Sequence, residues 1–154
     1  MMTKSPLLLL GLLAGMAFSA AAGEMESHEF FYDFLSGNYL AVGRDLDSAH
    51  PYSGRVIFEG RPDRLLVTRL IGEETIRGVG RIEHTCGPDQ ADVLRVRFQH
   101  GDENFEITYL WHSDLNNYAR LSGYLYRPNE RTDRPGLEAL FPDPATEPDM
   151  TNPR

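Results

Sequence analysis

The chain has 154 residues, 23 acidic side chains against 15 basic ones, and a formal charge of −8. That balance repels nucleic acid and anionic lipid surfaces at long range, so nucleic acid is not expected as a partner. The single cysteine, Cys86, excludes an intramolecular disulfide framework.

The N-terminus has a short positive start, Met1-Met2-Thr3-Lys4, followed by an apolar run from Pro6 to Phe18 that is too short to span a bilayer comfortably. Ser19-Ala20-Ala21-Ala22-Gly23 then supplies the small residues that a signal peptidase needs beside its cut. The pattern predicts a signal peptide over 1–23, cleaved after Ala22 or Gly23, and a periplasmic or secreted product. The alternative is an N-terminal membrane anchor, against which the abrupt change to "EMESHE" speaks. No cysteine follows the small residues, so a lipid anchor is not expected. Lys4 is the only lysine, and its removal takes the charge from −8 to −9, carried by 14 arginines against 23 acids. Arginine alone suits bidentate recognition of carboxylate or phosphate, although a genomic composition bias gives the same usage. The remaining chain of about 130 residues has the size of one domain with a modest core.

"HEFFYDFLS" places Phe30, Phe31, Phe34 and Leu35 at helical spacing, which predicts about two turns with one apolar face. Period 2 follows throughout. Strands are predicted at Asn38–Arg44, Gly54–Glu59, Asp63–Ile71, Thr75–His84, Ala91–His100, Asn104–His112 and Tyr118–Arg127, with short turns such as Gly72-Glu73 and "GDE" between them. Leu94, Val96 and Phe98 share a face opposite Arg95, Arg97 and Gln99, while Phe105, Ile107, Tyr109 and Trp111 alternate with polar residues. Such alternation means one buried face and one wet one. In "RPGLEALFP", Leu137, Ala139 and Phe141 alternate against Glu138 and Leu140, favouring an eighth strand over a helical turn. That strand would reach back to the first and close the sheet. Gly78 and Gly80 inside one strand, with Gly54 and Gly123, fit tight coiling. The fold class is therefore all-β: an antiparallel up-and-down meander of seven to eight strands, closed into a small barrel over 24–141. The remainder, 142–154, has nothing to bury and reads as a disordered tail.

These elements carry a resemblance. Gly37-x-Tyr39, Tyr52-x-Gly54, Ile71-Gly72, Gly78-x-Gly80 and Gly136-x-Glu138 with Leu140 resemble a group of small exported bacterial β-meander proteins of unassigned function. More loosely, residues 36 to 141 are similar to the calycin-type barrels of lipocalins and avidins. The resemblance implies that "HEFFYDFLS" plugs one end of the barrel. The chain departs from lipocalins in carrying tyrosine where they usually have tryptophan after Gly-x, and neither the lipocalin arginine nor avidin's polar set has a sure counterpart. The resemblance brings no ligand with it.

Enzyme motifs are missing: there is no G-x-S-x-G, H-E-x-x-H or phosphate loop. His84 with Cys86, or His112 with Asp114, supplies two metal ligands, which is too few. No metal and no cofactor are expected. Cys86, in "HTCGPDQ", reads as an inert thiol or as an intermolecular, redox-sensitive one. The densest chemistry is "YLWHSDLNNYARLSGYLYR". Tyr109 and Trp111 share one face, and Tyr118, Tyr124 and Tyr126 share a face of the next strand with Arg120 among them. Aromatics with polar tips suit a cavity that is apolar in body and hydrogen-bonding in detail, and the arginine suits an anionic head group. Tyr109, Trp111, Arg120, Tyr124 and Tyr126 are thus the candidate ligand-binding residues, with Trp111 expected at or near any cavity. In the competing reading Tyr109 and Trp111 are core, and the tyrosines with Arg120 decorate the outside, because Ala119, Leu121 and Leu125 compete for the inward face. Three functions follow: an exported module binding a small apolar or amphipathic molecule in the cell envelope, a filled barrel acting through protein contacts such as an inhibitor, and, least supported, an enzyme. A span of the membrane after cleavage is not expected, and oligomeric state is left open.

Overall fold

The computed structural model describes residues 29–48, 50–85, 91–113, 119–143 and 145. The segment expected to be a signal peptide, Cys86, Asp114, Tyr118 and most of the segment expected to be a C-terminal tail lie outside them.

A short helix, α1, covers residues 29–35 and leads into eight strands. These are β1 (Gly37–Arg44), β2 (Pro51–Arg61), β3 (Arg64–Ile71), β4 (Glu74–His84), β5 (Asp92–His100), β6 (Glu103–Ser113), β7 (Ala119–Tyr126) and β8 (Gly136–Pro142). Each strand pairs antiparallel with the next, and β8 returns to β1 with Val42 opposite Ala139, closing the barrel. The fold predicted from the alternation is the one formed, and the sheet has no free edge. No described helix is long and apolar enough to cross a membrane.

Inward positions follow period 2. Val56 and Phe58, Leu65 and Val67, Leu94 and Val96, then Ile107 and Tyr109 are buried in one continuous core. Phe98 and the partly buried Phe105 extend it, their rings stacked at 5.5 Å. On β7 Leu121 and Leu125 take the inside, which leaves Tyr124 exposed. The β8 face runs opposite to the one its apolar residues suggest. Glu138 and Leu140 are buried, while Leu137 and Phe141 are exposed on the outside.

The two ends of the barrel differ. A seven-residue helix cannot hold itself in water, and α1 is held by the barrel it caps. Leu35 is fully buried, a contribution of about 2 kcal/mol. The backbone N–H of Ile82 donates to the Tyr32 hydroxyl at 3.1 Å, and the Tyr39 hydroxyl donates to the Leu35 carbonyl at 2.8 Å. Asp143, just past β8, is also buried here. Its N–H donates to the Asn38 carbonyl at 2.9 Å, and its carboxylate meets Arg55 at 3.2 Å. The opposite end is ringed by connections. The turns between β3 and β4 and between β5 and β6 start on Gly72 and Gly101, whose φ of +60° and +61° a side chain would strain.

Candidate functional site

The end opposite α1 opens into a cavity of about 490 Å3. Leu46, Ile71, Ile76, Phe98, Phe105 and Leu125 give it an apolar wall; Tyr52 and Arg69 also line it, and Asp45, Ser48, Glu74, His100 and Arg127 complete it. Barrel geometry places these residues: each is either inward-facing near the open end of its strand or in the connection next to it.

Arg69 belongs to a polar belt laid across the barrel. It sits on β3 and Glu138 on β8, with β1 and β2 between them around one side. Its guanidinium donates two bonds of 2.7 Å, Nη1 to Oε1 and Nη2 to Oε2. The Tyr52 hydroxyl donates to Oε2 at 2.7 Å, and the Tyr109 hydroxyl donates to Oε1. Two glycines make this reach possible. Gly43 lies in register between Tyr52 and Glu138, and Gly123 lies between Tyr109 and Glu138. A Cβ at Gly43 would stand 2.3 Å from the Tyr52 ring, and one at Gly123 would stand 2.8 Å from that of Tyr109.

A lone carboxylate in this setting would cost several kcal/mol, so its partners are obligatory. Burial pushes the Glu138 carboxyl up, but the Arg69 charge and the hydrogen bonds from Arg69, Tyr109 and Tyr52 outweigh that and hold it below the usual range. Burial and then the Glu138 charge raise both tyrosine hydroxyls. Burial works against the Arg69 charge, yet Glu138 more than restores it. The belt is therefore one anion and one cation, both locked, with neutral tyrosines. Arg69 also stands 5.0 Å from the Phe98 ring centroid, so cation and aromatic meet beside the cavity.

The rim is held as well. Arg127 bonds Asp47 at 2.6 Å and Glu103 at 2.9 Å, with its guanidinium 5.7 Å from the Phe105 ring centroid. The Asp47 N–H donates to the Arg134 carbonyl at 3.1 Å, from a backbone with φ of +61° that aspartate tolerates better than most residues. Asp47 therefore ties the β1–β2 connection to the segment between β7 and β8.

The five residues singled out by sequence do not share one cavity. Tyr109 is buried in the belt and contributes no wall to the open end. Trp111 lies at the plugged end, its ring 5.9 Å from that of Phe31, rather than at the mouth. Trp111 and Arg120 line one groove of about 320 Å3 together with Leu140 and Phe141. Tyr124 and Tyr126 line a shallow outer groove of about 830 Å3 with Val42, Leu110 and Leu137. Tyr126 also donates to Glu106, which bonds Arg97 on the outer face. The separation has a simple cause: once Leu121 and Leu125 turn inward, Arg120, Tyr124 and Tyr126 must point out. The mouth residues that went unnoticed had one legible signal. Arg69 falls in phase with Leu65 and Val67, a charge where the pattern calls for an apolar side chain. Among the described residues no three His, Cys, Asp or Glu side chains group as metal ligands. No family model matches the chain, and no curated protein is significantly similar to it.

Proposed function

We propose that the protein is an exported binding module of the cell envelope that takes a small molecule with an apolar body into the open end of its barrel. The observation that carries this reading is the asymmetry of the interior. One end is plugged by α1 and packed, and the other holds a cavity of about 490 Å3 lined by six apolar side chains and seven polar ones. Pockets that bind small ligands have this size, with apolar walls for the ligand's body and polar groups that orient it. A plugged and an open end also support the looser likeness to calycin-type barrels, and the N-terminal pattern supports export.

A second reading has its own observation. Val42, Leu110, Tyr124, Leu137 and Phe141 are exposed together on the outside of β1, β6, β7 and β8. Contiguous apolar surface of this kind suits a protein partner. The test separates the two. A panel of fatty acids, isoprenoids and aromatic probes is titrated by calorimetry against the mature protein, Ile76→Trp and Leu110→Arg. The ligand reading expects saturable binding that Ile76→Trp, which fills the mouth, abolishes and Leu110→Arg leaves intact. Binding lost only in Leu110→Arg favours the outer face, and no binding by any probe ends the ligand reading.

A further inference from the structure

We infer that the mouth selects an organic cation, an ammonium or guanidinium on a compact apolar body, and that the Arg127 side chain is its built-in competitor. The inference rests on the open end being the binding site and specifies its ligand.

Three observations carry it. The first is the charge around the opening. Asp45, Asp47, Glu73, Glu74, Asp102 and Glu103 all stand at this end. The one arginine in the floor, Arg69, is consumed by Glu138. Arg44 lines the outer groove instead, and in the segment before β8 Glu130 and Asp133 offset Arg131 and Arg134. Glu74 meets His100 at 2.9 Å, which leaves Arg127 facing two carboxylates of its own. An opening bounded by low-dielectric walls, around which acids outnumber arginines, concentrates cations.

The second is what already occupies the wall. The Arg127 guanidinium lies over Phe105 and between Asp47 and Glu103, an aromatic face with two carboxylates. That set of partners is what an organic cation requires, since the ring quadrupole and the acids both attract it. The protein's own side chain thus demonstrates the recognition chemistry. The third is access: Arg127 is itself part of the cavity lining and its side chain is about a third exposed, so an incoming cation can reach the same partners. An anion would meet the same carboxylates as repulsion, and the floor arginine, Arg69, is already held by Glu138.

Three probes of one shape test this: 1-naphthylmethylamine as the cation, 1-naphthalenemethanol as the neutral form and 1-naphthaleneacetate as the anion. Each is titrated by calorimetry into the mature protein, Arg127→Ala and the charge-neutral Asp47→Asn/Glu103→Gln. The amine is expected to bind about tenfold tighter than the alcohol, the size of one charge-assisted hydrogen bond, and the acetate weakest. Arg127→Ala should strengthen the amine alone. Asp47→Asn/Glu103→Gln should bring amine and alcohol together while leaving the alcohol unchanged. Acetate binding as tightly as the amine overturns the cation preference and leaves the mouth as the site. An amine affinity unchanged or weakened in Arg127→Ala overturns the competitor role. If no probe binds, the reading of the mouth itself fails.

Discussion

Arg69 on β3 holds Glu138 on β8 through two parallel 2.7 Å hydrogen bonds that cross the barrel interior. Neither residue belongs to a local motif, and they are 69 positions apart. This pair divides the interior. Below it the barrel is packed to the plug, and the cavity at the open end reaches down to Arg69.

Removing one member should therefore cost far more than removing both. Glu138→Leu alone leaves a buried guanidinium unpaired and is expected to cost about 3–5 kcal/mol, whereas Arg69→Met/Glu138→Leu should recover a large part of that loss. Urea unfolding of the double-mutant cycle measures the coupling. Additive losses would mean that the two side chains act independently.

The belt also sets the response to pH. Held low in the folded chain, Glu138 binds a proton more readily once unfolded. Its contribution is thus present above roughly pH 4.3, the ordinary glutamate value, and is lost as the pH falls through the lower folded value. In Glu138→Gln the dependence of unfolding free energy on pH should flatten below roughly pH 4.3. At the alkaline end, burial pushes the Tyr39 hydroxyl up to about 12, and Tyr52 and Tyr109 are raised too. Their contribution is complete below about pH 10 and declines above it as the unfolded chain ionises first. Absorbance near the tyrosinate band should show these three titrating late or only with unfolding. Identical acid slopes for the parent and Glu138→Gln would contradict the assignment.

The strand glycines are not equivalent to one another. A Cβ at Gly123 would meet the Thr108 carbonyl at 2.5 Å, a backbone atom that cannot swing aside. Gly123→Ala should cost about 1–3 kcal/mol, as overpacking does. At Gly80 the nearest atom is a Leu94 methyl at 3.1 Å, which can shift slightly. Gly80→Ala should be the milder change in thermal unfolding, and the reverse order would argue against the packing described.

Trp111 reports on the plug. With its ring against Phe31, Phe31→Ala should expose the indole and move its emission to longer wavelength. A ligand at the mouth should leave that emission nearly constant. A saturable shift on ligand addition would place binding at the plugged end, beside Arg120 and Phe141.

The strands were legible because alternation is local. Leu94, Val96 and Phe98 announce a face without reference to anything distant, and so do Ile107 and Tyr109. The eighth strand was legible as a strand but not in its facing. Leu137 and Phe141 look like the buried set until Arg69, two strands beyond the β1–β8 seam, supplies the partner that draws Glu138 inside. The mouth was illegible for the same reason. Its residues come from both sides of the barrel, and only closure brings Tyr52, Phe98 and Leu125 around one space. Tyr124 and Tyr126 were persuasive as a pair, yet the inward Leu121 and Leu125 decide where they point.

Methyl-resolved NMR of the chain from residue 24 onward, titrated with 1-naphthylmethylamine, shows whether the open end is the binding site. Saturable shifts are expected in the methyls of Leu46, Ile71, Ile76 and Leu125, which wall the mouth, with those of Leu110 and Leu137 unmoved. Shifts confined to Leu110 and Leu137, or none at any methyl, would contradict a site at the open end.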